Sequence, residues 1–401
     1  MIKTMDQLSI SKKRVFIRVD FNVSVDENEK VVDDTRIRAV LPTIQHALAQ
    51  EAKVILASHL GRPKGMKNPK FSLLPVAAHL SKLLGKDVIF PEDCIGDAVK
   101  KLTLDMREGD VILLENLRFH AEEEKNDPIF AERLSSLADV YVNDAFGTLH
   151  RTHSSTVGMV KHFQEKGMGY LVQKEVDYLT RVLDQPERPL LAILGGSKVA
   201  DKLGVVEYLL TKVDALLIGG AMSYTFLKAT GVEVGDSLVE EGKVHLAAKF
   251  LERAKLKGIP LLLPVDHRIA EKISDQTPSQ ILKENPPSRI AEGNIPKGFM
   301  GLDIGPKTVE IFSKEIAKAR TVIWNGPMGV YEYPPFNAGT LAMAQAVAKS
   351  EGLTVVGGGD SAAAVMEAGV ADKIRHISTG GGATLACLEG KTLPGLKALE
   401  Y

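Results

Sequence analysis

Cysteine, net charge and long apolar runs are all scarce in this chain of 401 residues. Its two cysteines, Cys94 and Cys387, lie far apart without a metal-ligand spacing, which indicates reduced thiols in a cytoplasmic protein. The formal net charge of −1 provides no general attraction for nucleic acid or an anionic membrane. No apolar run approaches the roughly 20 residues of a membrane-spanning helix, and the N-terminus lacks a signal-peptide core. We expect a soluble, cytosolic protein that binds anions only at local sites.

Two common nucleotide-binding fingerprints are also missing. Gly195-Gly196-Ser197-Lys198 resembles a phosphate loop but is not GxxxxGK[ST], which disfavours the P-loop NTPases. No GxGxxG motif is followed by an acidic residue at the spacing of a dinucleotide dehydrogenase. His150 and His153 have a spacing compatible with zinc, but no cysteine or acidic cluster lies nearby in the sequence. We therefore do not expect a metal at these histidines.

Glycine and arginine are segregated into opposite halves of the chain. Up to Pro189 there are 9 glycines and 11 arginines, whereas from Leu190 onward there are 26 glycines and 5 arginines. The guanidinium groups of arginines bind small anions, and glycine-rich turns between a strand and a helix expose backbone N–H groups to phosphate. The first half is therefore expected to bind a compact acidic substrate and the second half a nucleotide.

Short apolar runs alternate with helical patterns throughout, and several runs are apolar without alternation, as in strands buried on both faces of a parallel sheet. This order predicts an α/β fold with two Rossmann-like, doubly wound parallel-sheet domains. The strand candidates include Arg14–Phe21, Val140–Asp144, Leu190–Leu194 and Ala215–Ile218. Helical periodicity covers segments that include Thr35–Gln50, Asp201–Lys212 and Val239–Lys257.

The domain boundary is expected after a helix at Tyr170–Leu183, because two prolines follow it in residues 184–189. We predict a substrate domain at residues 1–170, a connecting helix and hinge at 171–189, and a nucleotide domain at 190–387. The tail, about 388–401, has no place fixed by the sequence, although packing on the first domain is an option.

Ligands of open α/β sheets bind beyond the carboxyl ends of the strands, and polar residues follow most strands of the first half. Four arginines and a histidine at one sheet edge suit a small molecule that carries phosphate and carboxylate. Two further polar residues are placed to bond a substrate hydroxyl. The candidates are Asp20, Asn22, Arg36, His59, Arg62, Arg118 and Arg151.

The second half combines glycine turns with two lysines and a carboxylate. Lys198 and Lys202 are expected on one side of the first turns of a helix that follows the glycine loop. Asp360 is expected to cap a helix and to bind Mg²⁺, which takes one or two carboxylates in nucleotide sites. Residues 324–332 are expected to form a rigid wall around a nucleoside, with Glu332 accepting from a ribose hydroxyl.

The chain resembles the phosphoglycerate kinase family, and its length is typical of the bacterial members. The resemblance is carried, in family order, by RVDFNV, SHLGRPKG, LLENLRF, NDAFGTLHR, LGGSKVADKL, GLDIGP, WNGPMGV, GGGDS and STGGGA. It implies two Rossmann-like domains joined by a hinge helix. The implied reaction is reversible phosphoryl transfer between 1,3-bisphosphoglycerate and ADP, giving 3-phosphoglycerate and Mg-ATP in glycolysis and gluconeogenesis. A monomer that binds neither nucleic acid nor membrane is implied as well.

Transferred residue by residue, the resemblance implies a phosphoglycerate site that adds Phe21, Leu60 and Gly61 to the candidates above. It implies nucleotide contacts at Gly195, Lys198, Lys202, Gly219, Gly220, Gly301, Asn325, Pro327, Glu332, Gly358, Gly359, Asp360 and Ser361, with Asp360 as the Mg²⁺ ligand. Arg36 and Lys198 would flank the phosphoryl group in transit, and Gly358 and Gly381 would donate backbone N–H groups to it.

Three residues depart from the family pattern. Ala221 stands where a third glycine is usual, which adds a methyl group near the expected adenine site. Ser361 stands where threonine is also common, and Ser197 replaces a frequent alanine. The two serines are expected to leave function unchanged.

Two alternatives remain open from the residues alone. One is a different acid kinase or ligase acting on a small phosphorylated or carboxylated metabolite. The other is a nucleotide-gated binding protein without catalysis, against which the retained Arg36, Lys198 and Asp360 argue.

Overall fold

The computed structural model describes residues 1–271 and 286–401. By its internal contacts the chain divides into two units. One comprises Met1–Asp177 together with Thr392–Tyr401, and the other comprises Tyr178–Lys391. Each unit is built on a parallel sheet flanked by helices, so the α/β fold class is confirmed.

The first unit contains a seven-stranded sheet in which every pairing is parallel. Its strands are β1 (Lys3–Thr4), β2 (Arg14–Val19), β3 (Lys53–Ala57), β4 (Val88–Ile89), β5 (Val111–Leu113), β6 (Val140–Asp144) and β7 (Glu165–Met168). They are ordered β1-β7-β6-β2-β3-β5-β4 across the sheet. The chain therefore winds one way from β2 and returns on its other side at β6. Ligands of doubly wound sheets bind at such a reversal.

Helices of the first unit follow these strands. They are α1 (Thr35–Ala49), α2 (Leu74–Leu84), α3 (Asp97–Leu104), α4 (Ala121–Lys125), α5 (Pro128–Ser135) and, spanning the unit boundary, α6 (Tyr170–Leu183). The apolar side chains of α1 and α2 pack on β2, β3 and β6 in one core, which includes Ile17, Val40 and Val142. Burial of these faces fixes the strand ends on which the site depends.

The second unit contains a six-stranded parallel sheet with the same kind of reversal. Its strands are β8 (Leu190–Leu194), β9 (Ala215–Ile218), β10 (Leu261–Leu262), β14 (Thr321–Asn325), β15 (Leu353–Gly357) and β16 (His376–Ile377). They are ordered β10-β9-β8-β14-β15-β16, so the reversal lies between β8 and β14. The core beneath it includes Ile193, Trp324 and Val356.

The described helices of the second unit are mostly short. They are α7 (Leu203–Leu209), α8 (Met222–Ala229), α9 (Val244–Leu256), α10 (Pro306–Lys318), α11 (Ala338–Ala348), α12 (Gly359–Glu367) and α13 (Gly382–Leu388). The periodicity predicted α7 and α9 longer at both ends than they are. Residues Ala200–Lys202 and Glu241–Lys243 instead form separate 3-10 turns before these helices.

An antiparallel sheet of three strands was not predicted from the sequence. It consists of β11 (Asp266–Glu271), β12 (Ser288–Glu292) and β13 (Phe299–Ile304), in the order β12-β11-β13. The outer strand β12 is largely exposed, and its sequence SRIAE has too few apolar residues to stand out as a strand. Its pairing with β11 is therefore visible only in the folded chain.

The C-terminal tail belongs to the first unit. A short helix, α14 (Pro394–Ala398), follows the last residues of the second unit. The backbone N–H of Gly395 donates to the carbonyl of Leu149 at 2.9 Å, and the Tyr401 hydroxyl donates to the carbonyl of Lys166 at 2.8 Å. The tail thus packs beside the loop that carries Arg151.

Within the described residues, none of the helices is sufficiently long and apolar to cross a lipid bilayer.

Candidate active site

An ion pair between Asp20 and Arg36 lies at the reversal of the first sheet. Asp20 follows β2, and its Oδ2 accepts a hydrogen bond from Arg36 Nη1 at 3.0 Å. Arg36 is in the first turn of α1, and the same Nη1 lies 3.4 Å from the carbonyl oxygen of Asn22. The guanidinium is 39% exposed, so it is held in place while it still faces solvent. Such a group is available to an incoming anion.

Asn22 and Arg118 both hold the turn that follows β3. The side-chain oxygen of Asn22 accepts from the backbone N–H of Gly61 at 2.8 Å, and Arg118 Nη1 donates to the Gly61 carbonyl at 2.9 Å. Arg118 is buried and lies 3.3 Å from a Glu124 oxygen. These contacts bring three of the predicted residues, Asn22, Gly61 and Arg118, together at the ends of three strands.

His59 lies among the arginines of this site. Burial is the main cause that lowers its pKa well below the usual value, and the charges of Arg18, Arg118, Arg151 and Arg36 lower that pKa further. His59 is therefore neutral near neutral pH. Three of the four arginines predicted from the sequence, Arg36, Arg118 and Arg151, lower the pKa of this one ring, so their positive charges lie near it.

The remaining predicted residues of the first half have varied surroundings. Arg62 is exposed, and Arg151 is half-buried at the end of the short turn after β6. Phe21 is fully buried, and its backbone N–H donates to the Ser58 hydroxyl at 2.8 Å. Leu60 is buried as well. The buried side chains of Phe21 and Leu60 therefore fix the backbone of the candidate site, whereas Arg62 and Arg151 contribute positive charge to it.

Arg18 is a site residue that the sequence reasoning missed. It lies inside β2 with 1% exposure, and its Nη2 lies 3.3 Å from Nδ1 of His59. Its Nε donates to the Ser155 hydroxyl at 2.9 Å, and Ser155 in turn donates to the fully buried Glu123. The signal was available, because a charged residue within the apolar run VFIRV requires a buried partner.

The glycine loop after β8 is locked to the end of β14. Gly195 N–H donates to the carbonyl of Asn325 at 3.0 Å, and Gly196 N–H donates to the carbonyl of Pro327 at 2.9 Å. A Cβ on Gly195 would overlap the Pro327 oxygen, so only glycine fits there. Three predicted nucleotide residues, Gly195, Asn325 and Pro327, are thus brought together at the reversal of the second sheet.

The two lysines after this loop differ in surroundings. Lys202 donates from Nζ to the Asn325 carbonyl at 2.8 Å and to the Asn325 side-chain oxygen. Burial lowers the pKa of Lys202 to about 8, while the charges of Asp360 and Asp201 act in the opposite direction. Lys198 is exposed and precedes the 3-10 turn. The prediction that both lysines lie on the first turns of a helix was therefore wrong, because α7 begins only at Leu203.

The GGGDS segment forms the start of α12. Gly358 is the N-cap residue with φ of +95°, and Asp360 lies in the first turn. Asp360 is therefore not the N-cap, which corrects the prediction. Its exposed carboxylate lies where a helix N-terminus favours negative charge. The buried Ser361 hydroxyl accepts from Gly326 N–H at 2.7 Å, so this serine holds the neighbouring strand end.

Asp360 fits a magnesium ion by the chemistry of the site. Magnesium in nucleotide sites takes one or two carboxylates and completes its shell with phosphate oxygens and water. One exposed carboxylate, close enough to Lys202 for its charge to act on that amine, matches this donor set.

The other predicted nucleotide residues lie at further strand ends and turns of the second unit. Gly219 N–H donates to the Leu194 carbonyl at 2.8 Å, and Gly220 N–H donates to that of Met328 at 3.0 Å. Gly301 lies in β13 against the Tyr224 ring, and Gly381 caps α13. Glu332 and Gly359 are exposed. The half-buried Ala221 packs with the cluster around Tyr224 and Leu227.

Comparison with known proteins identifies the family of the chain. The sequence pattern of the phosphoglycerate kinase family fits residues 5–391. A phosphoglycerate kinase of an Anaeromyxobacter species is 57% identical over 401 residues, with 100% of this chain and 99% of the relative covered. The chain belongs to the phosphoglycerate kinase family.

Other phosphoglycerate kinases are similar along the full length. A protein of Triticum aestivum named phosphoglycerate kinase, cytosolic, is 52% identical, with 100% of this chain and 98% of the relative covered. The solved structure of the Coxiella burnetii phosphoglycerate kinase has a TM-score of 0.88 at 40% identity, covering 100% and 99% of the two chains. That of the Pyrococcus horikoshii enzyme has a TM-score of 0.83 at 32% identity, covering 100% and 98%.

Membership of the phosphoglycerate kinase family supplies the reaction. The chain is a phosphotransferase that acts on a carboxyl group, and it transfers phosphoryl reversibly between 1,3-bisphosphoglycerate and ADP in glycolysis and gluconeogenesis. The other acid kinases and the non-catalytic binding protein that the residues left open are thereby set aside. The resemblance stated from the sequence motifs is confirmed.

Proposed function

We propose that the arginine cluster of the first unit binds 3-phosphoglycerate and that the glycine turns of the second unit bind Mg-ATP. The observation that carries the first half of this proposal is the convergence of arginine charges on neutral His59. Guanidinium groups bind both phosphate and carboxylate bidentately, and 3-phosphoglycerate presents one of each. Asp20 and Asn22 are close enough to the cluster to bond the substrate hydroxyl.

The second half of the proposal rests on the strand ends that meet at the reversal of the second sheet. The backbone N–H groups at the N-terminus of α12, which begins at Gly359, suit phosphate oxygens. Lys202, held by Asn325, adds a positive charge beside them. Asp360 would hold Mg²⁺, which supplies charge neutralisation to the phosphates when bound. Glu332 is proposed to accept from a ribose hydroxyl, and Gly219, Gly220 and Gly301 to contact the base.

The chemistry of the transfer needs charge rather than a base. In the ATP-consuming direction the acceptor is a carboxylate, which is already ionised near neutral pH. The phosphoryl group in transit and the leaving nucleotide are both anionic, so positive groups and N–H donors stabilise the transition state. We assign this role to Arg36, Lys198 and the backbone N–H groups of Gly358 and Gly381.

Two properties of the enzyme are part of the same proposal. We infer a monomeric, cytoplasmic enzyme whose partners are its small-molecule substrates. Hinge movement about residues 171–189, implied by the family resemblance, would exclude water from the acyl phosphate. Small-angle X-ray scattering tests that movement, since the chain should become more compact only when both ligands are bound.

A coupled assay tests the substrates directly. The chain is expected to consume ATP when 3-phosphoglycerate is present and to be inactive when magnesium is chelated. Running the assay with ATP and GTP also tests whether the methyl group of Ala221 alters nucleotide preference. Absence of turnover with 3-phosphoglycerate and Mg-ATP would overturn the proposal.

A further inference from the structure

Three side chains with metal-ligating atoms meet in the first unit, away from the residues assigned to phosphoryl transfer. Asp93 and Cys94 lie in the segment between β4 and α3, and His120 lies between the 3-10 turn Leu117–Phe119 and α4. Within the described residues, one carboxylate oxygen of Asp93, the Cys94 sulfur and one ring nitrogen of His120 all lie within 4.8 Å of one another.

The positions of two of these side chains are fixed by hydrogen bonds. Asp93 Oδ1 accepts from His120 Nε2 at 2.7 Å and from the backbone N–H of Cys94 at 2.6 Å. Two ligand atoms bound to zinc at about 2.0–2.3 Å lie roughly 3.5 Å apart, so a cation would need side-chain movements of about 1 Å. Little rearrangement therefore separates this cluster from a coordination geometry.

Access to the cluster is one-sided. The Cys94 side chain is fully buried, whereas the side chains of Asp93 and His120 are 50% and 25% exposed. A cation would enter past the carboxylate and imidazole and meet the sulfur at the base of the site. Water could occupy the remaining position, as it does in zinc sites with three protein ligands.

The surrounding charge favours a cation. The acidic groups whose charges act on the Cys94 sulfur are Asp93 and Glu123. Lys67 donates from Nζ to the carbonyl of Glu92 at 3.0 Å, so its ammonium group lies beside the segment and outside the ligand set. The hydrogen bond and charge of Asp93, together with the charge of Glu122, raise the pKa of His120. The positive charge of Arg133 lowers this pKa by a smaller amount.

The donor types determine which cation fits. Thiolate and imidazole ligands suit Zn²⁺ and Co²⁺, whereas Mg²⁺ and Ca²⁺ take oxygen ligands. We propose that Asp93, Cys94 and His120 form a binding site for a thiophilic divalent cation, with Zn²⁺ as the natural occupant. This site is separate from the magnesium that accompanies the nucleotide.

Occupancy would have a structural consequence for the neighbouring chain. His120 comes two residues after Arg118, which holds Gly61 through its side chain. A cation shared by His120 and the 93–94 segment would tie down the C-terminal end of the turn that carries Arg118. The site therefore stabilises one wall of the arginine cluster without contacting it.

Cobalt spectroscopy on the full-length chain, freed of metal by chelation, tests the proposal. Thiolate ligation should produce a cobalt charge-transfer band in the near ultraviolet that saturates at one equivalent, even with magnesium in excess. Cys94→Ser should abolish the band, while Cys387→Ser, which alters the other cysteine, should retain it. His120→Gln should weaken Co²⁺ binding at least about tenfold.

Thermal unfolding with Zn²⁺ provides the second measurement, because a ligand that binds the folded state raises the unfolding temperature. Zn²⁺ should stabilise the wild type and Cys387→Ser but not His120→Gln, which is the safer variant for folding because His120 is partly exposed whereas Cys94 is fully buried. A wild-type chain without the band, a band retained in Cys94→Ser, or equal stabilisation of His120→Gln would overturn the proposal.

Discussion

The ammonium group of Lys202 donates a hydrogen bond to the backbone carbonyl of Asn325 at 2.8 Å. This contact joins the segment after β8 to the end of β14, the two strands between which the winding of the second sheet reverses. The glycine loop is fixed to the same strand end, because Gly195 N–H also donates to the Asn325 carbonyl, and the Lys202 ammonium group is placed beside the loop. We regard this junction as the organising feature of the proposed nucleotide site.

The pKa of Lys202 makes nucleotide affinity sensitive to pH. Burial lowers that pKa to about 8, so the amine loses its charge as the pH rises through about 8. An anion prefers the charged form, and affinity should therefore fall above this pH by up to about tenfold per unit. The KM for Mg-ATP is expected to rise between about pH 7 and pH 9.

Lys202→Arg is the matched variant for this test. Arginine keeps its charge over the whole range, so the KM of this variant should not vary with pH in the same window. A wild-type KM that stays constant to about pH 9, or an identical rise in both proteins, would refute the role given to Lys202.

Because Gly195 lies close to Pro327, adding a single methyl group at residue 195 should destabilise the folded chain. In Gly195→Ala the new Cβ would overlap a backbone carbonyl, which cannot move as a side chain can. We expect a loss of about 1–3 kcal/mol in the free energy of unfolding, measured by chemical denaturation. Gly242→Ala is the control, since nothing lies near its Cβ position. Equal stabilities of the two variants would contradict the packing described.

Arg62 offers the cleanest test of the substrate site because it is exposed. Charge-assisted hydrogen bonds are worth about 1.5–3 kcal/mol, so Arg62→Ala should raise the KM for 3-phosphoglycerate about 10–100-fold. The unfolding temperature should remain unchanged. Arg133→Ala removes an exposed arginine from α5 and should leave this KM unaltered. An unaltered KM in Arg62→Ala would remove that residue from the site.

The sequence predicts the parallel sheets well where strands are buried on both faces. The bounds of Val140–Asp144, Leu190–Leu194 and Ala215–Ile218 are confirmed to the residue, whereas the strand predicted at Arg14–Phe21 ends at Val19. The antiparallel sheet was missed, because its edge strand is exposed and is defined by partners distant in sequence. Periodicity alone also overextended the helix after the glycine loop.

Candidate site residues were predictable where a polar group follows an apolar strand. Arg18 was overlooked because it lies inside a strand, and its partners Ser155 and Glu123 are more than 100 residues away. Asp360 was assigned to a cap that the backbone of Gly358 provides instead. Such details depend on the path of the backbone, which composition and spacing do not define.

Asp144 should make the stability of the first unit depend on pH. The Asp144 carboxyl is fully buried, and its Oδ1 accepts from Val172 N–H at 3.1 Å at the start of α6. Burial raises the pKa of Asp144 to about 7, above the value of about 4 in the unfolded chain. The folded state therefore holds the extra proton, and stability falls as the pH rises from about 4 through about 7.

Asp144→Asn removes this dependence while keeping the shape of the side chain. The free energy of unfolding of the wild type, measured by denaturant at about pH 5 and pH 8, should decline relative to the variant by roughly 2–3 kcal/mol. Comparing the two proteins cancels other carboxylates, such as Asp303, whose pKa is also raised to about 7 by burial. Parallel pH profiles would show that Asp144 is ionised in the folded chain.

Lys198 is the residue on which the proposed transfer mechanism depends most directly. It is exposed and lies outside the helices, so Lys198→Ala should leave the fold and the binding of 3-phosphoglycerate intact. The coupled assay with 3-phosphoglycerate and Mg-ATP should show turnover lowered by about 10²–10³. Lys249→Ala, which removes an exposed lysine from α9, should be fully active. A normal turnover number for Lys198→Ala would contradict the mechanism.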